Sequence, residues 1–190
     1  MGLIPARRPK DAAPTGDLSA RLASVRRRSA AVVADPVTEE VDPKARAVAV
    51  LDACLSVVSD ASRIMREAAA QVIEAASEAD EAPRALLAER YDDARSRIDA
   101  MQAGMPDDAR LLLGDEAPAL DVPLRGATYA VAPFPLGTGE GGLDLPAPED
   151  GFASHQEVAE TLRRVELALE RLSRVRAIYA ADRAFLSGEN

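Results

Sequence analysis

Nine small or apolar residues, Ala47, Leu51, Cys54, Val58, Ala61, Met65, Ala68, Val72 and Ala75, follow one another at alternating spacings of four and three. No other feature of the chain constrains its fold as tightly. An unbroken 3.5-residue period over about four heptads describes a long helix with one narrow apolar seam. The seam spans roughly Lys44 to Ala76. Asp42 stands where an N-cap belongs and Pro43 where a helix tolerates proline, so the helix has a defined start.

The period returns twice. Leu87, Tyr91, Ala94, Ile98 and Met101 repeat it after the acidic stretch Ser77–Pro83, which reads as a helix–helix connection, and Gly104 and Pro106 end that second helix. Ser154 with Glu157 three residues on forms a capping-box pattern. It opens a last helix to about Leu186, with a seam of Val158, Leu162, Val165, Leu169 and Leu172, extended by Val175, Tyr179 and Phe185. A short connection between the first two helices favours an antiparallel hairpin. Three stripes of matching pitch predict a mainly α fold, an elongated three-helix bundle made of that hairpin and the C-terminal helix. Its seam residues are Leu51, Val58, Met65, Val72, Leu87, Tyr91, Ile98, Leu162, Val165, Leu169 and Leu172.

Composition agrees with a thin bundle. Apolar residues make up 47% of the 190, but aromatics are only 3% and tryptophan is absent. Alanine dominates that apolar share and buries little area per residue, whereas small side chains let helix axes approach closely. Between Pro106 and Gly151 the chain changes to a Gly- and Pro-rich texture. Ala127–Ala132 carries β-type residues and Leu143–Leu145 alternates briefly. Together they predict a small β-hairpin within about 106–151, joined by the loop Gly137–Gly142.

Prolines at 5, 9, 14, 36 and 43 leave room for only a short helix in residues 1–43, which read as a flexible tail preceding a helical domain at 44–190. The formal net charge is −9, which disfavours a nucleic-acid binder. Residues 1–28 nevertheless carry net +5, leaving −14 on the remainder. Arg7, Arg8, Arg21, Arg26, Arg27 and Arg28 therefore form a candidate partner-binding tail. No apolar run is long enough for a membrane span and no signal-peptide pattern opens the chain, so a cytoplasmic start is expected, with export by a route that needs no cleaved signal left open.

Candidate chemistry is sparse. Gly137, Gly139 and Gly142 satisfy G-x-G-x-x-G, but Pro146 and Pro148 follow where a dinucleotide site needs a helix N-terminus. His155 is the sole histidine and has no cysteine near it to share a zinc ion. Cys54 falls on the apolar seam, where a thiol behaves as a small hydrophobe. Asp92 and Asp93 point in different directions on a helix, and Asp107–Asp108 read as a solvated turn. The expectation is a non-enzymatic chain without cofactor or metal.

With the helices placed, residues 47–186 resemble the rod domain of bacterial flagellins. Ala47–Ala76 (A-V-A-V-L-D-A-C … S-R-I-M-R-E-A-A-A-Q) resembles the first rod helix, with Arg63, Met65, Arg66, Glu67, Ala68 and Gln71 echoing its R-x-x-E-L-A-x-Q string and alanine standing where leucine is usual. Arg84, Leu87, Tyr91, Arg95, Ile98 and Asp99 fit the second helix, Leu111, Leu112 and Gly114 the N-L-L-x-G after it, and Val175–Ala181 the V-x-x-x-R-A-x-L-G-A of the last. The chain departs from the pattern at Arg90, at Pro106-Asp107-Asp108 and at Ala180. Segments like those that pair to form the flagellin filament core have no counterpart beyond Arg21-Leu22-Ala23-Ser24. The resemblance implies a structural or accessory flagellar component whose partners are flagellins. Two alternatives stand beside it: a cytosolic regulator that mimics flagellin and occupies a flagellin chaperone or regulator, and an unrelated helical-bundle adaptor. Oligomeric state is left open.

Overall fold

A computed structural model describes residues 42–188, and the six arginines of the candidate tail lie outside them. The described chain is mainly helical with one small antiparallel sheet. Its elements run α1 (Pro43–Ser77), α2 (Glu81–Ala103), α3 (Asp107–Leu113), β1 (Leu120–Leu124), β2 (Ala127–Val131) and α4 (His155–Ser187).

Helix α1 is the axis of the fold. Asp42 caps it by accepting a hydrogen bond from the Lys44 amide at 3.1 Å, and Pro43 fills the first helical position, where its missing N–H is not needed. All nine residues of its expected seam are buried, and Val50, Val57 and Ile64 are buried beside them. The apolar face is broader than one seam because α1 touches α2, α3, α4 and β1. Within the seam the small residues Ala47, Cys54, Ala61, Ala68 and Ala75 recur every seventh position, alternating with Leu51, Val58, Met65 and Val72. That alternation lets neighbouring elements approach the backbone at one level and interlock with larger side chains at the next.

Helix α2 returns antiparallel to α1, with Arg97 bonded to Glu67 across the hairpin at 2.7 Å. It begins at Glu81, earlier than expected, and Pro83 sits in its first turn, where no intrahelical amide bond is lost. Leu87, Tyr91 and Ile98 are buried. Helix α4 also runs antiparallel to α1, and Arg183 near its end bonds Asp52 near the start of α1 at 2.7 Å. The two outer helices α2 and α4 therefore run parallel to one another. They hardly touch.

The segment 132–154 reaches both of them. It bonds α2 through Arg84, Tyr91, Arg95 and Asp99, and α4 through Arg164, Arg171 and Tyr179. Leu136, Leu143, Leu145 and Phe152 of this strap join the common core. Leu143–Leu145 is thus not a strand. The strand Ala127–Val131 pairs instead with Leu120–Leu124, in a register of Leu120 with Val131 and Leu124 with Ala127. A two-residue Arg125–Gly126 turn joins them, Gly126 taking φ +79°. A two-residue turn closes a hairpin at far lower entropic cost than the eleven residues separating Val131 from Leu143.

Two further corrections concern helices. Asp107–Leu113, expected to be irregular, forms α3 and buries Ala109, Leu112 and Leu113 against α1. In α4 the stripe that meets the core is Val158, Thr161, Val165, Ala168, Leu172, Val175 and Tyr179. Leu162 and Leu169, assigned to the seam, are only partly buried at its margin, and Phe185 is 43% exposed. Leucine's hydrophobicity drew the expected stripe one step around the helix from the smaller Thr161 and Ala168. We expect Leu169→Asp to cost roughly 1–2 kcal/mol of unfolding free energy, well below Val165→Asp, because a marginal carboxylate turns to solvent. Urea denaturation of the two variants checks the order.

Candidate functional site: the strap and the helix faces around it

The strap is held chiefly by side chains that grip its main chain. Arg84 is 6% exposed, and all four of its hydrogen bonds go to backbone carbonyls. Its Nε donates to Phe152 at 2.9 Å and Nη2 to Ala153 at 2.7 Å, while Nη1 donates to Glu78 and Ala79 in the α1–α2 connection. One planar guanidinium thereby ties the hairpin bend to the end of the strap, a geometry a lysine cannot reproduce. Two and three turns further along α2, the Tyr91 hydroxyl donates to Pro146 O at 3.0 Å, and Arg95 Nε donates to Leu145 O at 2.8 Å while also pairing with Asp92. The Asp99 carboxylate accepts from both the amide and the hydroxyl of Thr138.

From the other side Arg171 donates to Gly142 O at 2.9 Å, Arg164 pairs with Asp144, and Tyr179 donates to Ala132 O at 3.2 Å. Phe152 lies fully buried at φ +61°, unusual for a bulky residue, with its ring 5.7 Å from that of Tyr91. Burial of the ring and the Arg84 bond to its carbonyl hold that conformation in place.

The glycine cluster serves packing. Leu143 N donates to Gly137 O at 2.8 Å and Leu145 N to Thr138 O at 2.8 Å, closing Gly137–Gly142 into a compact loop. A Cβ on Gly142 would lie 2.2 Å from the Gly137 carbonyl oxygen. No helix opens at Gly142, the next one starting only at His155, so no helix N-terminus presents amides to a pyrophosphate at the loop. We expect Gly142→Ala to lower stability by about 2 kcal/mol, read as a drop in melting temperature.

The other singled-out residues are dispersed. Ser154 Oγ accepts from the Glu157 amide at 3.1 Å, half of a capping box. The Glu157 carboxylate does not return to Ser154; it accepts from the amides of Glu149 and Asp150 and so fixes the strap's last turn. His155 is exposed at the start of α4, and Asp107 and Asp108 occupy the first turn of α3. Asp92 pairs with Arg95, while Asp93 is exposed. Among the described residues no group of three or more His, Cys, Asp or Glu side chains is placed to hold a metal ion, and no helix is long and apolar enough to cross a membrane.

Cys54 is buried, with its Sγ 3.6 Å from Ala109 O, and burial together with the nearby Asp108 pushes its thiol up to about 12. Burial likewise raises the Tyr91 phenol to about 12 and shifts Tyr179 upward. In an unfolded chain these groups deprotonate near their ordinary values of 9 for the thiol and 10 for the phenols. Their contribution to stability is complete below those values and is lost as pH rises towards 12. We expect loss of helical circular dichroism and appearance of tyrosinate absorbance at 295 nm to coincide in an alkaline titration above about pH 10. Tyrosinate signal from Tyr91 and Tyr179, beyond that of the partly exposed Tyr129, before any loss of helix would contradict their burial.

Two shallow depressions flank α4. One, of about 310 Å³, is lined by Glu149, Asp150, Glu157 and Glu160 around Ser154. Hydrogen bonds from Arg163 and Arg164 hold Glu160 at about 2, so it stays ionised. The other, of about 450 Å³, has an apolar wall of Phe134, Val175 and Ile178 and a polar rim that includes Arg174 and Glu140. In the first depression the Ser154 hydroxyl is engaged as the cap of α4 by the Glu157 amide.

No protein-family model, curated protein or solved structure matches the chain. The geometry of its surfaces and the residue strings described above therefore carry the functional reading.

Proposed function

We propose that this chain is a non-enzymatic, flagellin-like protein that works through protein–protein contacts as a structural or accessory component of the bacterial flagellum. In this reading α1, α2 and α4 form an elongated three-helix rod, with the strap filling the gap between the two parallel outer helices. The observation that carries the reading is the shared task of the residues in α2 that resemble the second rod helix. Arg84, Tyr91, Arg95 and Asp99 all bond the strap, while Leu87 and Ile98 of the same string face the core. The element order, a helix hairpin, a β-hairpin and a closing helix, also fits what the resemblance implies. A docking role suits the chemistry on its faces, which are rich in paired charges and poor in groups able to activate a substrate.

Fractionation of the bacterium that encodes the chain tests the proposal. An epitope-tagged copy should appear in sheared filaments or in the hook fraction, and deletion should impair swimming. Retention wholly in the cytosol together with co-purification of a flagellin chaperone would favour the mimicry alternative. Normal swimming after deletion, with no flagellar protein bound, would overturn the flagellar assignment.

A further inference from the structure

The described residues hold six exposed large hydrophobic side chains, and three of them lie on α4: Leu167, Ile178 and Phe185, at 40%, 47% and 43% exposure. Their separations of 11 and 18 residues bring all three within about 20° of one line along the helix, a stripe about 27 Å long. Arg174 lies on that line and Glu170 beside it, the two joined by an ion pair at 2.7 Å and both more than half exposed. Ile178 also forms part of the apolar wall of the 450 Å³ depression, together with Phe134 and Val175.

We propose that a second copy of this chain covers the stripe, the two α4 helices packing antiparallel about a two-fold axis that crosses the exposed face of α4 midway between Leu167 and Ile178. The stripe is complementary to itself under that operation. Leu167 falls opposite Ile178 of the second copy, where it enters the depression beside Phe134 and Val175, and the contact occurs twice by symmetry. Within one residue of the same register, Glu170 falls opposite Arg174 of the second copy. The ion pair made within each helix is thereby exchanged for two made between helices. Few anchors and a solvated charge pair give a modest interface, with dissociation in the range of roughly ten to a hundred micromolar. The inference is independent of the flagellar reading, because it is tested on the purified chain alone.

Sedimentation equilibrium on the full chain from about 1 to 200 µM should show a concentration-dependent dimer. Ile178→Glu, Arg174→Glu and Glu170→Arg should each weaken it at least about tenfold, with circular dichroism unchanged because these side chains are exposed. Combining Glu170→Arg with Arg174→Glu restores opposite charges across the two-fold and should return the dissociation constant to within about threefold of the parent. A chain that stays monomeric throughout overturns the proposal. So does a dimer indifferent to Ile178→Glu, or a double variant no better than the single ones.

Discussion

Val58→Asp should lower the unfolding free energy by about 4 kcal/mol or more, enough to leave a marginally stable helical unit largely unfolded at room temperature. Val58 is fully buried midway along α1, in the stripe that faces the other elements. A carboxylate there has no cation to pair with in the seam and, unlike one at the margin of a helix, cannot turn to water. Either it stays charged and unpaired, or it binds a proton and still leaves polar oxygens in an apolar layer. Ile73→Asp on the same helix is the matched control. That side chain is 57% exposed, and its replacement should change stability by no more than about 0.5 kcal/mol. Urea unfolding followed at 222 nm separates the two, and equal midpoints would show that α1 does not bury the stripe described here.

Arg84→Met should cost roughly 2–4 kcal/mol while keeping the length and much of the packing of the side chain. What is lost is donors: four backbone carbonyls, two in the α1–α2 connection and two at the end of the strap, give up their partner together. Because two of those carbonyls close the strap over the Phe152 ring, the damage should be local before it is global. Amide hydrogen exchange should accelerate in the strap near residues 143–153 more than in the middle of α1. Arg84→Lys should recover only part of the loss, since one ammonium cannot reach both ends of the fork. A uniform rise in exchange over the whole helical unit would show instead that Arg84 acts through general packing.

The helices were legible in the sequence to differing degrees, for reasons visible in individual residues. In α1 the alternation of small and large side chains keeps one phase for four heptads, so period and burial coincide. In α4 hydrophobicity alone points to Leu162 and Leu169, whereas the less hydrophobic Thr161 and Ala168 beside them meet the core. Phe185, read as part of the seam, packs against Tyr129 in a tilted ring contact with centroids 4.7 Å apart at the edge of the hairpin and belongs to the outer stripe. The hairpin was placed near its true position but given the wrong partner. Strand pairing depends on turn geometry, and Arg125–Gly126 is a weaker turn signal than the glycines of 137–142. Those glycines draw attention for a real reason, but it is steric: Gly142 lies against a carbonyl oxygen.

The strap itself has no periodic signature. Its conformation is dictated by arginines, tyrosines and an aspartate tens of residues away in sequence, so no local pattern could announce it. Arg95 has Asp99 at i+4 and pairs with Asp92 at i−3, so its local spacing gives no sign that it also holds the strap.

That mode of attachment has a consequence for how such a sequence can drift. A carbonyl oxygen is the same on every residue, so a grip on the main chain is blind to the side chain that follows. Away from Leu136, Leu143, Leu145, Phe152, the tight glycines, and Thr138 and Asp144, whose side chains bond α2 and α4, strap positions are free to change character without loosening their hold. The fold thus presents a surface that can be rewritten for a new partner while the arginines and tyrosines beneath it stay as they are.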